Sequence, residues 1–303
     1  MRLQPLLHDL LVAVMAPTQA WSGRDGQLRS EGAQGVFHAD TRVLSRAVLT
    51  VGQDEPEAVA GGPTGPGSVE VISLVRGVDG PGADPTARMC RRRTVTAGAV
   101  EESVELSSAM TEALTVPLAL HLACDLARMD HVKAGDAGRP LPAVASRDGL
   151  RWAAGGEVVV VTLDGAHDPQ VDLADPAGPV VRWTLTVPPR ATVRVTWRVA
   201  VERSVDAVVD APPPGRSWSV PDVTSDDRRL PGLLHRALDD LHTLRMSTPE
   251  APDDVFLAAG APWFFTLFGR DSLWAARMLL PLGTDLAGGT LRTLARRQGT
   301  VVD

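Results

Sequence analysis

The chain has 303 residues, of which 44% are hydrophobic and 22% are charged. This composition excludes wholesale disorder, and the length predicts one or two globular domains. The formal net charge of −7 argues against sequence-independent binding to nucleic acid, which needs a basic face. No apolar run approaches the roughly 18 residues needed to span a bilayer, so no membrane partner is expected.

Cysteine content and the N-terminus indicate a reduced, cytoplasmic protein. Cys90 and Cys124 are the only cysteines, which is too few for a disulfide framework. The apolar stretch at the N-terminus contains His8 and Asp9, which interrupt the core that a signal peptide would need. We therefore interpret the N-terminus as part of the mature protein.

Between residues 10 and 205 the hydrophobic pattern has a period of two, which is typical of half-buried β-strands. The clearest alternations lie at 114–123, 183–187 and 193–201. Clusters of glycine, proline and aspartate at 61–67 and 79–85 predict turns or loops between strands. Many antiparallel strands separated in this way predict a large β-sandwich.

The period changes after a segment that contains three consecutive prolines. Leucines then recur at helical spacing, which predicts an amphipathic helix over 228–247. Two further helices are predicted at 272–281 and 285–298, with Asp271 and Thr284 as possible N-caps. The predicted order is therefore a sandwich followed by helices.

Half of the aromatic residues of the chain fall within a short stretch near the C-terminus. They are Phe256, Trp263, Phe264, Phe265, Phe268 and Trp274. Aromatic side chains can pack a core or stack on the C–H faces of sugar rings. We expect most of the six to form a hydrophobic junction between sandwich and helices, and one or two to be free for a ligand.

Arg270 and Asp271 lie within this aromatic cluster, just before the second predicted helix. An arginine offers a planar fork of donors and an aspartate offers two acceptor oxygens, which together suit the hydroxyls of a sugar. The alternative is a plain helix start, in which Asp271 accepts a backbone N–H and Arg270 is solvated. The spacing alone favours the helix start, because a three-residue motif is weak.

Three other groupings are interpreted as structural. His121 and Cys124 are three residues apart, but the strand alternation places His121 on a partly exposed face, and no further ligand motif accompanies them. No metal site and no cofactor are therefore predicted. Asp40 and Arg42 are expected to form an ion pair in a turn, and the three arginines at 91–93 to be a solvated strand edge.

The segment GAPWFFTLFGRDSLWAARMLLPLGTDLAGGTLRTLARRQG (260–299) resembles the opening of the (α/α)6-barrel domain of bacterial glycogen-debranching proteins of the amylo-α-1,6-glucosidase type, and more remotely of glucoamylases. GVFHADTRVLS (35–45) and RRRTVTAGAVEESVEL (91–106) resemble the domain that precedes this barrel. The resemblance implies a mixed β-then-α fold. It would consist of an antiparallel β-sandwich over 1–222 and the first helices of an incomplete (α/α)6 barrel over 223–303.

The resemblance also implies an inverting glycoside hydrolase that cleaves α-1,6-glucosidic bonds in glycogen or another α-glucan. In glucoamylase-like relatives the Arg-Asp pair hydrogen-bonds the terminal glucose, so Arg270 and Asp271 become candidates for substrate binding. Trp263 and Phe264 become candidates for the wall of the same subsite. Asp271 is assigned to binding and not to acid catalysis.

Inversion needs two carboxyl groups separated by roughly 6.5–9.5 Å. In the resembled families both groups lie on later barrel loops, and this chain matches only the first few helices of the barrel. We therefore assign no catalytic residue, and we expect a fragment with little or no turnover of its own.

Two alternatives stay open. The chain could be a non-catalytic carbohydrate-binding or assembly module, in which the sandwich and the aromatic cluster recognise glucan without cleaving it. It could also belong to a hydrolase of a small α-glucoside, because the Arg-Asp motif reports a terminal sugar and not a linkage. The expected partner in every case is an α-glucan or a glucoside.

Overall fold

The computed structural model describes residues 5–78, 85–136, 138–203, 208–214, 218 and 220–299. The loop predicted at 79–85 lies outside these residues except for its last position. The strands, in chain order, are β1 (Leu10–Met15), β2 (Thr18–Gly23), β3 (Gly35–His38), β4 (Thr41–Leu44), β5 (Arg46–Val51), β6 (Glu57–Gly65), β7 (Ser68–Leu74), β8 (Ala87–Thr96), β9 (Ala99–Ser108), β10 (Leu114–Ala123), β11 (Ala127–Arg128), β12 (Val144–Ser146), β13 (Gly149–Ala154), β14 (Glu157–Leu163), β15 (Gln170–Asp172), β16 (Val180–Val187), β17 (Thr192–Arg203), β18 (Arg245–Thr248) and β19 (Ala251–Leu257). The helices are α1 (Met129–Lys133), α2 (Arg229–His242), α3 (Gly269–Met278) and α4 (Asp285–Arg296), with a 3-10 turn at Leu280–Leu282.

The strands form antiparallel sheets. An eight-stranded sheet has the order β12-β13-β14-β17-β9-β8-β7-β6, a four-stranded sheet has the order β15-β16-β10-β5, and a five-stranded sheet has the order β1-β2-β3-β4-β11. β18 and β19 form a separate hairpin. The predicted fold class, an antiparallel β-sandwich followed by a few helices, is confirmed. None of the helices in the described residues is long and apolar enough to cross a membrane.

The main hydrophobic core lies between the eight-stranded and four-stranded sheets. Alternate residues of β10 and β16 point into it from one side and alternate residues of β9, β14 and β17 from the other. Trp197 and Leu120 are almost completely buried there, and full burial of a leucine stabilises a fold by about 1.5–3 kcal/mol. The alternations predicted at 114–123, 183–187 and 193–201 are confirmed as β10, β16 and β17.

The prediction of a solvated edge at 91–93 was wrong for two of the three arginines. Strand β8 pairs with β7 and β9, so Arg91 and Arg93 face the interior and only Arg92 is exposed. Both buried guanidinium groups donate to Glu102 on β9, whose side chain is 0% exposed. The alternation of side chains along β8 therefore buries Arg91 and Arg93 together with the apolar residues of the strand. Glu102 is the carboxylate partner that makes their burial possible.

Arg42 is structural, as predicted, but its partner is not Asp40. Arg42 Nε lies 3.2 Å from Asp125 Oδ1, and both side chains are buried. The predicted loop at 61–67 also differs, because residues 61–65 belong to the edge strand β6. Glycine and proline are tolerated there because an edge strand needs hydrogen bonds on one side only.

The helix predicted over 228–247 ends five residues early, at His242. Residues 245–248 instead form β18, which pairs with β19, and Ser247 also exchanges backbone hydrogen bonds with Asp210. Met246, Phe256 and Phe265 pack with residues of β1 in a second buried cluster. Tertiary pairing thus overrides the helical period at this point. The domain boundary at residue 222 stays a prediction.

Candidate active site region

The loop between β19 and α3 carries two of the predicted site residues. Gly260 and Phe264 exchange backbone hydrogen bonds at 3.0 and 2.9 Å, which closes the loop into a tight turn. The carbonyl of Pro262 accepts a hydrogen bond of 3.4 Å from Gln19 Nε2 on β2. The loop is therefore fastened to the five-stranded sheet, and Trp263 and Phe264 are held at its tip.

Trp263 and Phe264 point into different surroundings. Trp263 is half-buried and packs on the cluster of Trp21, Phe37, Met129 and Val132 on the five-stranded sheet and α1. Its buried Nε1 has no hydrogen-bond partner in the described part of the chain. Phe264 is 49% exposed. Trp263 is thus mainly a junction residue, whereas Phe264 is open to a ligand.

Three of the six clustered aromatic rings are exposed. Phe264 makes an edge-to-face contact with Phe268 at 5.5 Å between centroids, and the ammonium of Lys133 lies 4.5 Å from the Phe264 centroid. Trp274 lies further along α3 and stacks with Arg277. Phe256 and Phe265 are buried. The expected hydrophobic junction exists, but three rings are exposed and not the one or two expected, and two of them, Phe264 and Phe268, form an exposed aromatic pair beside the junction.

Arg270 and Asp271 lie in the first turn of α3, which begins at Gly269. The prediction of Asp271 as N-cap was therefore wrong, because the capping position is Phe268 and the helix begins earlier than expected. Ser272 sets this start, since its hydroxyl accepts the Phe268 N–H and donates to the Leu257 carbonyl at 2.9 Å. The Ser272 side chain is buried against β19, and the two residues before it, Arg270 and Asp271, face solvent.

The side chains of Arg270 and Asp271 are both exposed. They make no ion pair with each other, and neither hydrogen-bonds another side chain or backbone group of the described residues. Their five guanidinium N–H donors and two carboxylate oxygens are therefore open to solvent or to a ligand. They follow directly after Phe268, so the polar groups and the exposed aromatic pair are adjacent along the chain.

Helix α4 holds this region against the hairpin. Asp254 on β19 accepts hydrogen bonds from Arg292 and Arg296 of α4, with Arg292 Nε 2.6 Å from Asp254 Oδ1. Burial by itself would raise the pKa of Asp254, but the hydrogen bonds from the two arginines outweigh it and lower the pKa below its usual value. A Cβ at Gly289 would come within 2.4 Å of the Val255 carbonyl oxygen, so only glycine permits this close approach of α4 to β19.

One cavity, lined by charged and apolar side chains, was not predicted from the sequence. It has a volume of about 500 Å³ and lies on the sandwich, where Asp25 and Arg29 line it. The only signal in the sequence is the Asp25-Gly26 pair, which is typical of a turn and not of a site. Asp25 and Arg29 are brought to the cavity by packing between sheets, which no local pattern reports.

In the part of the chain that the structure describes, no group of three or more His, Cys, Asp or Glu side chains is placed so that it could hold a metal ion. His121 is partly exposed, as predicted, and its Nε2 lies 3.5 Å from Thr50 Oγ1. Cys124 is a buried free thiol. Burial raises the pKa of this thiol to about 12, which makes the thiolate rare at neutral pH.

Solved structures with a similar arrangement of strands include a protein described as a kojibiose phosphorylase from the human microbiome, at 7% identity and a TM-score of 0.42. The match covers 63% of this chain and 29% of that protein, so the chain spans less than a third of its length. An aldose 1-epimerase from Escherichia coli K12 (9% identity, TM-score 0.43) matches over 64% of this chain and 98% of its own. The Slr1438 protein of Synechocystis sp. PCC 6803 (9% identity, TM-score 0.42) matches over 66% of this chain and 96% of its own.

No curated protein sequence matches the chain. A family model described as the N-terminal domain of (some) glycogen debranching enzymes matches residues 14–198. This range runs from β1 into β17 and includes the segments 35–45 and 91–106, but not the segment 260–299 that resembles the opening of the barrel domain. Because the model covers more than half of the chain, the chain belongs to the family of N-terminal domains of glycogen debranching enzymes.

Proposed function

We propose that the protein acts on an α-glucan, in the hydrolysis of α-1,6-glucosidic bonds in glycogen, and that Arg270 and Asp271 bind the terminal glucose. One observation carries the assignment of the two residues. They are exposed and without a polar partner among the described residues, in the first turn of a helix that directly follows an exposed aromatic pair. Family membership supports the class of substrate.

The chemistry of the two side chains suits a pyranose. Arg270 donates through a planar fork, and Asp271 accepts through two oxygens, so together they can satisfy neighbouring hydroxyls that are both donors and acceptors. Phe264 and Phe268 offer apolar surface for the C–H face of the ring. Trp263 packs mainly on the sandwich, so in this proposal only the exposed part of its ring can contact the sugar.

The described residues are assigned to binding only. Inverting hydrolysis also needs a general acid and a general base, and we assign neither role to Arg270 or Asp271. In this proposal neither catalytic carboxyl group is among the 303 residues of the chain. The 303-residue chain should therefore bind glucan without releasing sugar.

The binding role is tested by titrating the 303-residue chain with panose, a trisaccharide that contains one α-1,6 bond, in a calorimeter. Arg270→Gln and Asp271→Asn should each weaken binding by about tenfold or more, because each removes a hydrogen bond of a charged group. Arg236→Gln and Asp240→Asn are the matched controls, since this pair is exposed on α2. Equal affinities in all five proteins would overturn the assignment of the two residues.

The reaction is tested separately with glycogen limit dextrin, by the release of reducing sugar. The 303-residue chain is expected to release no sugar. If it does release sugar, and Asp271→Ala abolishes that release, the assignment of this chain to binding alone is contradicted. Tighter binding of a small α-glucoside such as trehalose than of panose would favour a hydrolase of small glucosides. Binding of panose by a complete protein that never releases sugar would instead favour a carbohydrate-binding module.

A further inference from the structure

A second polar site lies on the sandwich, far along the chain from α3. It is the cavity of about 500 Å³, between the edge strand β1 and the edge strand β6. Its volume falls within the range of about 300–1,000 Å³ that is usual for small-molecule sites. Asp25 and Arg29 form its polar side, and Ala58, Ala60 and Gly61 of β6 leave the space open because their side chains are small.

Asp25 and Arg29 are held by a rigid turn after β2. The Gln27 N–H donates to Asp25 Oδ1 at 3.0 Å, and Arg29 Nη2 donates to Asp25 Oδ2 at 2.8 Å. A Cβ at Gly23 would lie 2.6 Å from Asp25 Oδ1, so glycine is needed for the carboxylate to occupy this place. The two side chains are thus positioned before any ligand arrives, which lowers the entropic cost of binding.

Each charged side chain that lines the cavity already has a partner of opposite charge. Arg29 donates to Glu55 as well as to Asp25, and Arg24 lies 3.6 Å from Asp9. A neutral ligand leaves these pairs intact and adds no net charge beside them, whereas a charged ligand would be repelled by one member of each pair. The chemistry of the cavity therefore favours an uncharged ligand.

The groups still open at the cavity are those that hydroxyls need. The Nε–H and the two Nη1–H groups of Arg29 have no hydrogen-bond partner in the described parts of the chain, and the Asp25 oxygens retain acceptor capacity. Burial alone would raise the pKa of Asp25, but Arg29 and the Gln27 N–H lower it, so the carboxylate is ionised at neutral pH. Leu11 and Val59 supply apolar walls.

We propose that this cavity is a second carbohydrate site, which binds one or two glucosyl units of the α-glucan through Asp25 and Arg29. The class of ligand follows from paired charges, open donors and acceptors, and apolar walls in one cavity. Its identity as α-glucan rests on the proposed function. A second site of this kind would hold a glucan chain on the sandwich while a chain end lies at α3.

The experiment measures the binding of maltoheptaose by calorimetry in two backgrounds. The first is the unaltered 303-residue chain, and the second carries Arg270→Gln and Asp271→Asn, which disable the site at α3. Binding that remains in the second background reports the cavity. Ala60→Leu fills the cavity without touching an ion pair, and Asp25→Asn removes the carboxylate charge, so each should weaken this remaining binding by about tenfold or more.

Asp172→Asn is the matched control for Asp25→Asn. Like Asp25, Asp172 accepts one hydrogen bond from the backbone N–H two residues later and one from an arginine side chain. The donors are Ala174 and Arg182. Asp172 does not line the cavity. It should leave the remaining binding unchanged. A thermal unfolding curve for each variant verifies that the chain is folded.

Two results would overturn the proposal: no remaining binding in the second background, or remaining binding that Ala60→Leu leaves unchanged. Failure of the proposed function is a different result. In that case the second background binds maltoheptaose as tightly as the unaltered chain, whatever Ala60→Leu does.

Discussion

Arginine and carboxylate side chains are arranged differently in the sandwich and in the helical region that follows it. In the sandwich, Arg91, Arg93 and Glu102 are buried together between strands, and every carboxylate oxygen of Glu102 accepts from an arginine. In α3, Arg270 and Asp271 are neighbours in sequence, yet both are exposed and neither has a polar partner among the residues that the structure describes.

This difference teaches which charged groups are available for a ligand. Buried charges must be paired internally, because an unpaired buried charge is very costly. The hydrogen-bonding groups of a buried charged pair are therefore already occupied by the partner within the fold. An exposed pair held in place by a rigid helix start costs the fold little, and it stays free to bind. The comparison favours α3 over the buried arginines as a site of function.

The largest expected effect is that of Glu102→Gln. This change leaves Arg91 and Arg93 buried without a carboxylate, so the free energy of unfolding should fall by about 3–5 kcal/mol. Urea denaturation measures it. Glu70→Gln is the control, because Glu70 on β7 pairs with the half-exposed Arg92, which lies on β8 between Arg91 and Arg93, and it should cost less than about 1 kcal/mol. Equal losses in both variants would contradict the distinction between buried and exposed pairs.

A smaller and more local effect is expected from Asp254→Asn. The change weakens both hydrogen bonds from α4, at a loss of roughly 1–3 kcal/mol. Amide hydrogen exchange should become faster in α4 while the strands of the sandwich keep their protection. Asp240→Asn, at an exposed pair on α2, should not change exchange in α4. Faster exchange in β10 as well would show that the two regions unfold together.

Acidification should lower stability through His38, a largely buried histidine on β3. Burial lowers the pKa of His38, and Asp210 only partly opposes it. The unfolded chain then binds more protons than the folded chain, so the free energy of unfolding should fall as pH decreases through 6.5 and below. His38→Gln, which can keep a hydrogen bond to Thr18, should reduce this slope.

Urea denaturation at several pH values measures the slope. The exposed His167 provides the control variant, His167→Gln, which should leave the difference between pH 7 and pH 5.5 unchanged. An unchanged slope in His38→Gln would show that His38 does not contribute to the pH dependence.

The smallest effect on stability is expected for the proposed binding residues themselves. Arg270 and Asp271 make no side-chain contact with a polar partner among the described residues, so Asp271→Asn should change the free energy of unfolding by less than about 0.5 kcal/mol. The same variant is expected to lose glucan binding. A loss of stability comparable to that of Asp254→Asn would instead indicate a structural role for Asp271.

Much of the fold could be predicted because strand and helix periods are local. The alternations in β10, β16 and β17 and the helical spacing in α2 and α4 identified these elements directly. The partners of charged residues could not be predicted in the same way. Arg42 pairs with Asp125, which is 83 residues away, and not with the neighbouring Asp40. The position of α3 also depended on Ser272, whose hydroxyl bonds to a strand carbonyl 15 residues earlier.

The candidate site was predicted in part. The sequence indicated Arg270, Asp271 and an aromatic group beside them, and the structure adds that Phe264 and Phe268 are the exposed rings while Trp263 packs on the sandwich. The cavity at Asp25 and Arg29 left no recognisable pattern. It is formed by two sheet edges that meet only after folding.

The sequence by itself determined most of the strands and helices and their apolar faces, because these properties depend on the spacing of neighbouring side chains. Only the tertiary structure decided which charges are buried and paired and which stay open, because their partners come from distant strands. The same residue types therefore stabilise the interior at Arg91 and Glu102 and remain free at Arg270 and Asp271.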